Sequence, residues 1–426
     1  MPSNVRRVLS RVVLTASLLS LAAACSEAPA VGSLQLELLS PPGDNPLLGA
    51  AFVRLQIDDR PAETWPVQPL QPIDVGLHVD ADGRAHQLGL EGLDADGSVT
   101  SRGLSAPVVF TPGADVVLSI VARPVGRFSL TRMPLWTPRV DFALVSTPDT
   151  VWAIGGTVGV EATAGTERID PWLTEVEPGP ELPEARTGPV AAVGSDGTVL
   201  VLGDQPSILA LAPGSETWTS VGTAQLGARG AIVSTGDDTW LAIDASQTFE
   251  VTWNGELAGV QPGPSLSHPR ERPVAVRAGD AVLVLGGTET LGEWLGGPSL
   301  SRAAESGAAA LALGPTVLVV AGASILEARP DGTISEHGPL SEPRAHASID
   351  ILVDGRVIVA GGADAAAGTA DILGLDAEGW RVVQSVSLTT GRMRHRSARL
   401  PDGTVMLMGG LGLTGGFVSL GDVFVP

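Results

Sequence analysis

The chain has 426 residues, enough for two or three cores, and its 53 Gly, 33 Pro and few aromatics favour many short strands over long helices. All 26 basic residues are arginine, lysine and tyrosine are absent, and one cysteine occurs. These absences exclude lysine Schiff bases and tyrosine chemistry, and a net charge of −21 excludes nucleic acid as a partner, because phosphate binding needs the opposite sign.

In chain order, Arg6, Arg7 and Arg11 precede an apolar stretch at residues 12–21, then Ala22, Ala23, Ala24 and Cys25. Ten residues are too few to span a bilayer as a helix. The segment resembles a bacterial lipoprotein signal peptide, with Ala22 where leucine is commonest and Leu21 one position earlier. The resemblance implies that residues 1–24 are removed and that Cys25 is the lipid attachment site. It also implies that the exported protein is held on the membrane by its N-terminal lipid; Ser26 after the cysteine implies sorting to the outer membrane of the cell envelope. An ordinary secretory signal with a chance cysteine is the alternative. Cleavage would remove three arginines and no acid, taking the net charge from −21 to −24. A lipidated Cys25 leaves no thiol for a disulfide, a zinc site or a nucleophile.

Residues 25–32 read as a small-residue tether. Residues 33–125 alternate apolar and polar positions in strand-length pieces at 34–39, 51–57, 75–79, 86–90 and 116–122, separated by turn signals that include Asp-Ala-Asp-Gly tetrads at 80–83 and 94–97. Six or seven short strands in some ninety residues suggest an immunoglobulin-like β-sandwich, without the cysteine pair of such domains.

Residues 126–426 hold a repeat. Its clearest element is an apolar run ending in glycine: VWAIGG (151–156), VLVLGD (199–204), WLAID (240–244), VLVLGG (282–287), VLVVAG (317–322), VIVAGG (357–362) and VMLMGG (405–410). The copies lie about 42 residues apart. Apolar side chains at consecutive positions require a strand buried on both faces. Turn signals precede most runs, at 195–197, 236–238, 278–280, 353–355 and 401–403, and their Asp and Gly residues suit hairpin turns. An arginine recurs upstream of each run (Arg139, Arg186, Arg229, Arg270, Arg302, Arg344 and Arg392), and a tryptophan follows several (Trp172, Trp218, Trp253 and Trp380).

Arginine, strand, turn, strand with Gly-Gly, strand, tryptophan: this order resembles the kelch repeat, whose blade is a four-stranded antiparallel sheet. The resemblance implies an all-β chain, a kelch-type β-propeller of seven or six blades preceded by a small β-sandwich. Departures are the missing glycines at Ile243 and Asp244, a lone Gly203 in the second repeat, Ala321 and Ala323 in the fifth, and aliphatic residues where the family has tyrosine. The last repeat stops at its third strand, and residues 127–130 stand at the right spacing to complete it, which would close the ring and remove exposed edges.

Chemistry on such scaffolds is mostly excluded by composition. Copper radical oxidases need tyrosines and a cross-linked cysteine, and sialidase-type cleavage needs a tyrosine nucleophile. A glycan-active enzyme using carboxylates at the propeller mouth is the remaining catalytic alternative, and a purely structural envelope component is another. The expectation is no enzyme, no cofactor and no metal. His78, His86, His268, His337, His346 and His395 form no spaced metal motif and read as loop or strand-end residues, with His346 and His395 in similar positions of adjacent repeats. The two tetrads lack the remaining ligands of a calcium loop and read as turns. Arg392, Arg394, His395 and Arg396, with Arg399, make a basic cluster in an acidic chain, a candidate contact for a carboxylate or acidic sugar; the other reading is that they tie blades together. Tryptophans at one repeat position read as blade packing. The leading reading is a scaffold for an unknown protein or glycan.

Overall fold

The computed structural model describes residues 12–16, 34–67, 82–111, 115–227, 229–287, 289–303 and 305–426. Cys25, the tether, His78 and the strand expected at 75–79 lie outside the described residues. The chain divides into two compact units.

The first unit comprises residues 1–132, 172–174 and 425. Leu34–Leu39 and Phe52–Ile57 alternate as expected, so Leu34, Leu36 and Leu38 share one core with Val53, Leu55, Ile57, Leu88, Leu90, Leu118 and Ile120. Three- and five-stranded sheets supply these side chains. Leu34–Leu39 runs parallel to Val116–Val121 and antiparallel to Val12–Ala16, a strand inside the stretch read as a signal peptide. Residues 126–132, assigned from sequence to the second domain, cluster here. The buried Arg123 accounts for part of this: its guanidinium donates to Ser129 Oγ at 2.9 Å, to the Leu130 carbonyl at 2.8 Å and to Thr174 Oγ1 at 2.7 Å. The Asp94 turn is closed by its own backbone, with Asp94 Oδ1 accepting the Asp96 and Ser98 amides. His86 is buried, and its two ring nitrogens lie 2.6 Å from Asp58 Oδ2 and 2.9 Å from Asp82 Oδ1. Only the imidazolium can donate to both carboxylates, and these hydrogen bonds hold its pKa above the usual histidine value against burial.

The second unit comprises residues 133–171, 175–424 and 426. Among the described residues it holds, besides the two-stranded sheet of Thr157–Val158 and Glu161–Ala162, seven successive antiparallel sheets of three or four strands whose first strands are Ala143–Ser146, Val190–Val193, Ala231–Gly236, Val274–Ala278, Ala309–Leu313, Ser348–Ile351 and Arg396–Arg399. Each first strand lies beside the first strand of the next sheet, and Arg396–Arg399 returns to Ala143–Ser146. The sheets therefore close a ring. Every apolar run of the repeat is the second strand of its sheet, and each is buried on both faces, as in Val199–Leu202 and Val405–Met408. Fully burying one such side chain is worth about 1.5–3 kcal/mol, so these strands dominate the core. Trp218, Trp253 and Trp380 pack into it; Trp218 Nε1 donates to the Pro180 carbonyl at 2.8 Å and Trp253 Nε1 to Asp196 Oδ2 at 3.0 Å. Trp136 stays exposed.

The repeated Gly-Gly is the joint between sheets. The second glycine donates its N–H to the arginine carbonyl of the next sheet: Gly156 to Arg186 at 3.0 Å, Gly362 to Arg392 at 3.0 Å and, across the ring closure, Gly410 to Arg139 at 3.1 Å. A Cβ on the first glycine would stand 3.3 Å from the Arg186 carbonyl oxygen at Gly155, 2.5 Å from that of Arg392 at Gly361 and 2.8 Å from that of Arg139 at Gly409. Glycine is required because the neighbouring backbone occupies the space a side chain needs.

Five of the repeated arginines, Arg139, Arg186, Arg270, Arg344 and Arg392, are fully buried four residues before a first strand. Four of them meet an acid on the third strand of their own sheet: Glu167, Glu293, Asp371 and Asp422. Each acid also accepts a backbone amide three residues ahead of its arginine, from Trp136, Ser267, Ser341 and Thr389. The guanidinium's other donors reach carbonyls, as when Arg344 Nη1 bonds those of Gly361, Ala366 and Thr369 at 2.8–3.0 Å. In the second sheet Ser207 replaces the acid, its Oγ 2.7 Å from Arg186 Nη2. Arg229 and Arg302 depart from the expected equivalence. Arg229 stands two residues before its strand and Arg302 seven, and both remain partly accessible.

Candidate functional site at the mouth of the ring

Two residues before each first strand, the backbone turns through the left-handed region: Asp141, Gly188, Arg229, Arg272, Gly307, His346 and Arg394 have φ between 49° and 71°. Hydrogen bonds link neighbouring members. The Arg229 amide donates to the Gly188 carbonyl at 3.2 Å, His346 to Gly307 at 2.8 Å and Arg394 to His346 at 3.1 Å. Left-handed φ is uncommon for side chains other than glycine, asparagine, aspartate and histidine. Three arginines held in it, one per sheet, bring their side chains to one end of the ring.

They converge on Asp141. Arg229 Nε donates to Asp141 Oδ2 at 2.8 Å, Arg272 Nη1 to Oδ1 at 2.9 Å, and Arg394 Nη2 to Oδ2. These arginines come from the third, fourth and seventh sheets, and Asp141 from the first. Burial alone would raise the Asp141 pKa, but Arg272 and Arg394 outweigh it and hold the carboxyl at about 2. The group therefore stays ionised and has no proton to give near neutrality. A cavity of about 140 Å³ opens on these side chains and on His346, His395 and Arg396. Arg396 Nε donates to the Phe142 carbonyl at 2.9 Å. His395 is buried with Nε2 3.0 Å from Ser348 Oγ and Nδ1 unpartnered; burial, then Arg392 and Arg396, push its pKa down to about 3. Burial and the neighbouring Arg272 and Arg394 likewise lower that of His346. Both imidazoles are neutral at physiological pH, so the lining carries four guanidinium charges against one carboxylate.

Of the basic cluster singled out from sequence, Arg394, His395 and Arg396 line this cavity. Arg392 does not belong with them: it is fully buried, and its guanidinium donates to Asp422 and to the Gly409 and Leu420 carbonyls. Arg399 lies at the other end of its strand, on a cavity of about 650 Å³ lined by turns such as residues 146–148 and 400–403. His346 and His395 are not equivalent, since they stand two and one residues before their strands. Among the described residues no group of three or more His, Cys, Asp or Glu is placed to hold a metal ion. Sequence reasoning missed Asp141 and Arg272. Their signal was the column two places after the buried arginine, which reads Asp, Gly, Arg, His and Arg at 141, 188, 272, 346 and 394.

A closed ring of radially repeated antiparallel sheets, entered at one end through the connections that precede the first strands, defines the second unit as a β-propeller. Among solved structures, one entitled "Streptogramin B lyase structure" is similar to this chain with a TM-score of 0.48 and 14% identity, over 70% of this chain and 98% of that one. No protein-family model matches the chain, and no curated protein matches it.

Proposed function

We propose that this chain is an envelope lipoprotein whose seven-bladed, kelch-type propeller, carried behind a sandwich-like N-terminal domain, binds a carboxylate-bearing segment of a partner protein. The observation that carries the reading is the convergence of Arg229, Arg272, Arg394 and Arg396 on a small cavity in a chain of net charge −21. Guanidinium groups match carboxylates in charge and in fork geometry. No tryptophan or phenylalanine is among the described residues that line the cavity, which favours a carboxylate over a stacked sugar ring there. The surrounding negative charge disfavours a polyanion, which points to one acidic side chain or a C-terminal carboxylate on a neutral or basic segment. With Asp141 pinned by three arginines, the one carboxylate among the described lining residues has no proton to exchange near neutrality, which supports binding over carboxylate-pair hydrolysis.

The purified Cys25→Ser protein, probed on an array of single-Glu and C-terminal-carboxylate peptides beside an acidic-glycan array, is expected to capture peptides. Arg394→Gln with Arg396→Gln should weaken capture by at least tenfold, the loss typical of removing a charged hydrogen-bond partner. Retention of glycans alone, or capture that the double variant leaves intact, would refute the reading. In cells, Cys25→Ser should move the protein from the membrane fraction to the soluble fraction, and a mutant that stays membrane-bound would refute the anchor.

A further inference from the structure

We propose that the Asp141 carboxylate is the resident occupant of a one-anion subsite and competes with the ligand's carboxylate for the same three arginines. The inference rests on the mouth being an anion site, as argued above.

Placement is the first support. Glu167, Glu293, Asp371 and Asp422 each pair with an arginine of their own sheet, 23 to 30 residues away, whereas Asp141 is reached from other sheets by Arg229, Arg272 and Arg394, 88, 131 and 253 residues away. Donor surplus is the second. Each guanidinium carries five N–H donors and a carboxylate offers about four acceptor sites. Asp141 engages Nε of Arg229, both Nη atoms of Arg272 and one Nη of Arg394. Arg394 Nε is buried without a partner, and Arg396 directs its Nε to the Phe142 carbonyl. Arg229, Arg272, Arg394 and Arg396 therefore line the cavity with more donors than Asp141 can accept, a surplus that suits an acceptor-only group of carboxylate size. Charge is the third. One carboxylate among four guanidiniums lowers the attraction for a second anion without cancelling it.

Asp141→Asn tests this directly. Asparagine keeps the shape of the side chain and is at home at φ 52°, so the substitution removes charge without straining the backbone. Acetate and inorganic phosphate are titrated into the wild type and the variant by calorimetry, with the Arg Nε–H resonances followed by NMR. The variant is expected to bind acetate at least tenfold more tightly, the low end for removing one like charge at contact distance. In the wild type, saturating acetate should shift the Arg229 Nε–H resonance as Asp141 is displaced, a readout that needs no variant. Equal affinity in the two proteins, or acetate binding that leaves the Arg229 signal in place, would overturn the competition while leaving the anion site standing. No binding of either anion to either protein would remove both proposals. Phosphate binding without acetate would show an adventitious cation patch and would also overturn the carboxylate subsite.

Discussion

Replacing Asp371 with alanine is expected to lower the stability of the propeller unit by about 3–5 kcal/mol, the usual cost of stranding one partner of a buried ion pair. Asp371 is fully buried on the strand Thr369–Asp376 and accepts from the Ser341 amide at 3.0 Å, the Ser341 and Ser385 hydroxyls at 2.6 Å each, and the Arg344 guanidinium at 3.2 Å. Without it a fully buried guanidinium keeps its charge and loses its counter-ion. The pH dependence has a definite sign. Burial raises the Asp371 pKa, but Ser341, Ser385 and Arg344 together hold it below the ordinary value of 3.8. Its contribution is therefore complete above about pH 4 and is lost as pH falls through the lower folded value. Urea midpoints of wild type and variant should differ most at neutral pH and converge in acid. Asp376→Ala, at the exposed end of the same strand, should leave the midpoint unchanged; an equal effect at both positions would show that the buried pair is not the source.

The second strands and their turns were legible because both signals are local. Four consecutive apolar residues, preceded by Asp-Gly at 196–197, 354–355 and 402–403, leave few alternatives to a hairpin into a doubly buried strand, and all seven runs form doubly buried strands. The buried arginines were legible as a column, but their partners were not. Glu167, Glu293, Asp371 and Asp422 follow their arginines at spacings of 28, 23, 27 and 30, because the connections between second and third strands that they cross differ in length, from the short link at 286–291 to the long one at 409–421. Arg229 looked like another member of that column. What separates it is its distance from the first strand, two residues rather than four, and strand starts are where a sequence is least definite. Asp141 was beyond reach for a different reason. Its role exists only once the ring closes and brings the seventh sheet beside the first, and no local pattern encodes which side chains then meet across the axis.

The closing joint supplies the second large effect. Gly409 ends the second strand of the last sheet at φ 64°, and a Cβ there would lie 2.6 Å from Phe142 Cε1 and 2.8 Å from the Arg139 carbonyl oxygen, both on the first sheet's connection. Alanine in the left-handed region costs about 1–2 kcal/mol, and forcing overlap with packed backbone adds about 1–3 kcal/mol. Gly409→Ala is thus expected to lose about 3 kcal/mol in urea denaturation. Gly214→Ala isolates the first term, since Gly214 sits at φ 72° in a turn of the same unit, and a Cβ there would meet nothing within 4 Å. It should lose about 1–2 kcal/mol. Equal losses at the two glycines would mean that the first and last sheets are not tightly apposed at this joint. The same substitution should reach the mouth, because Phe142 follows Asp141 in the chain and its carbonyl accepts Arg396 Nε. Displacing Phe142 shifts both the resident carboxylate and one of the four cations, so Gly409→Ala should change acetate affinity along with stability, whereas Gly214→Ala should change stability alone.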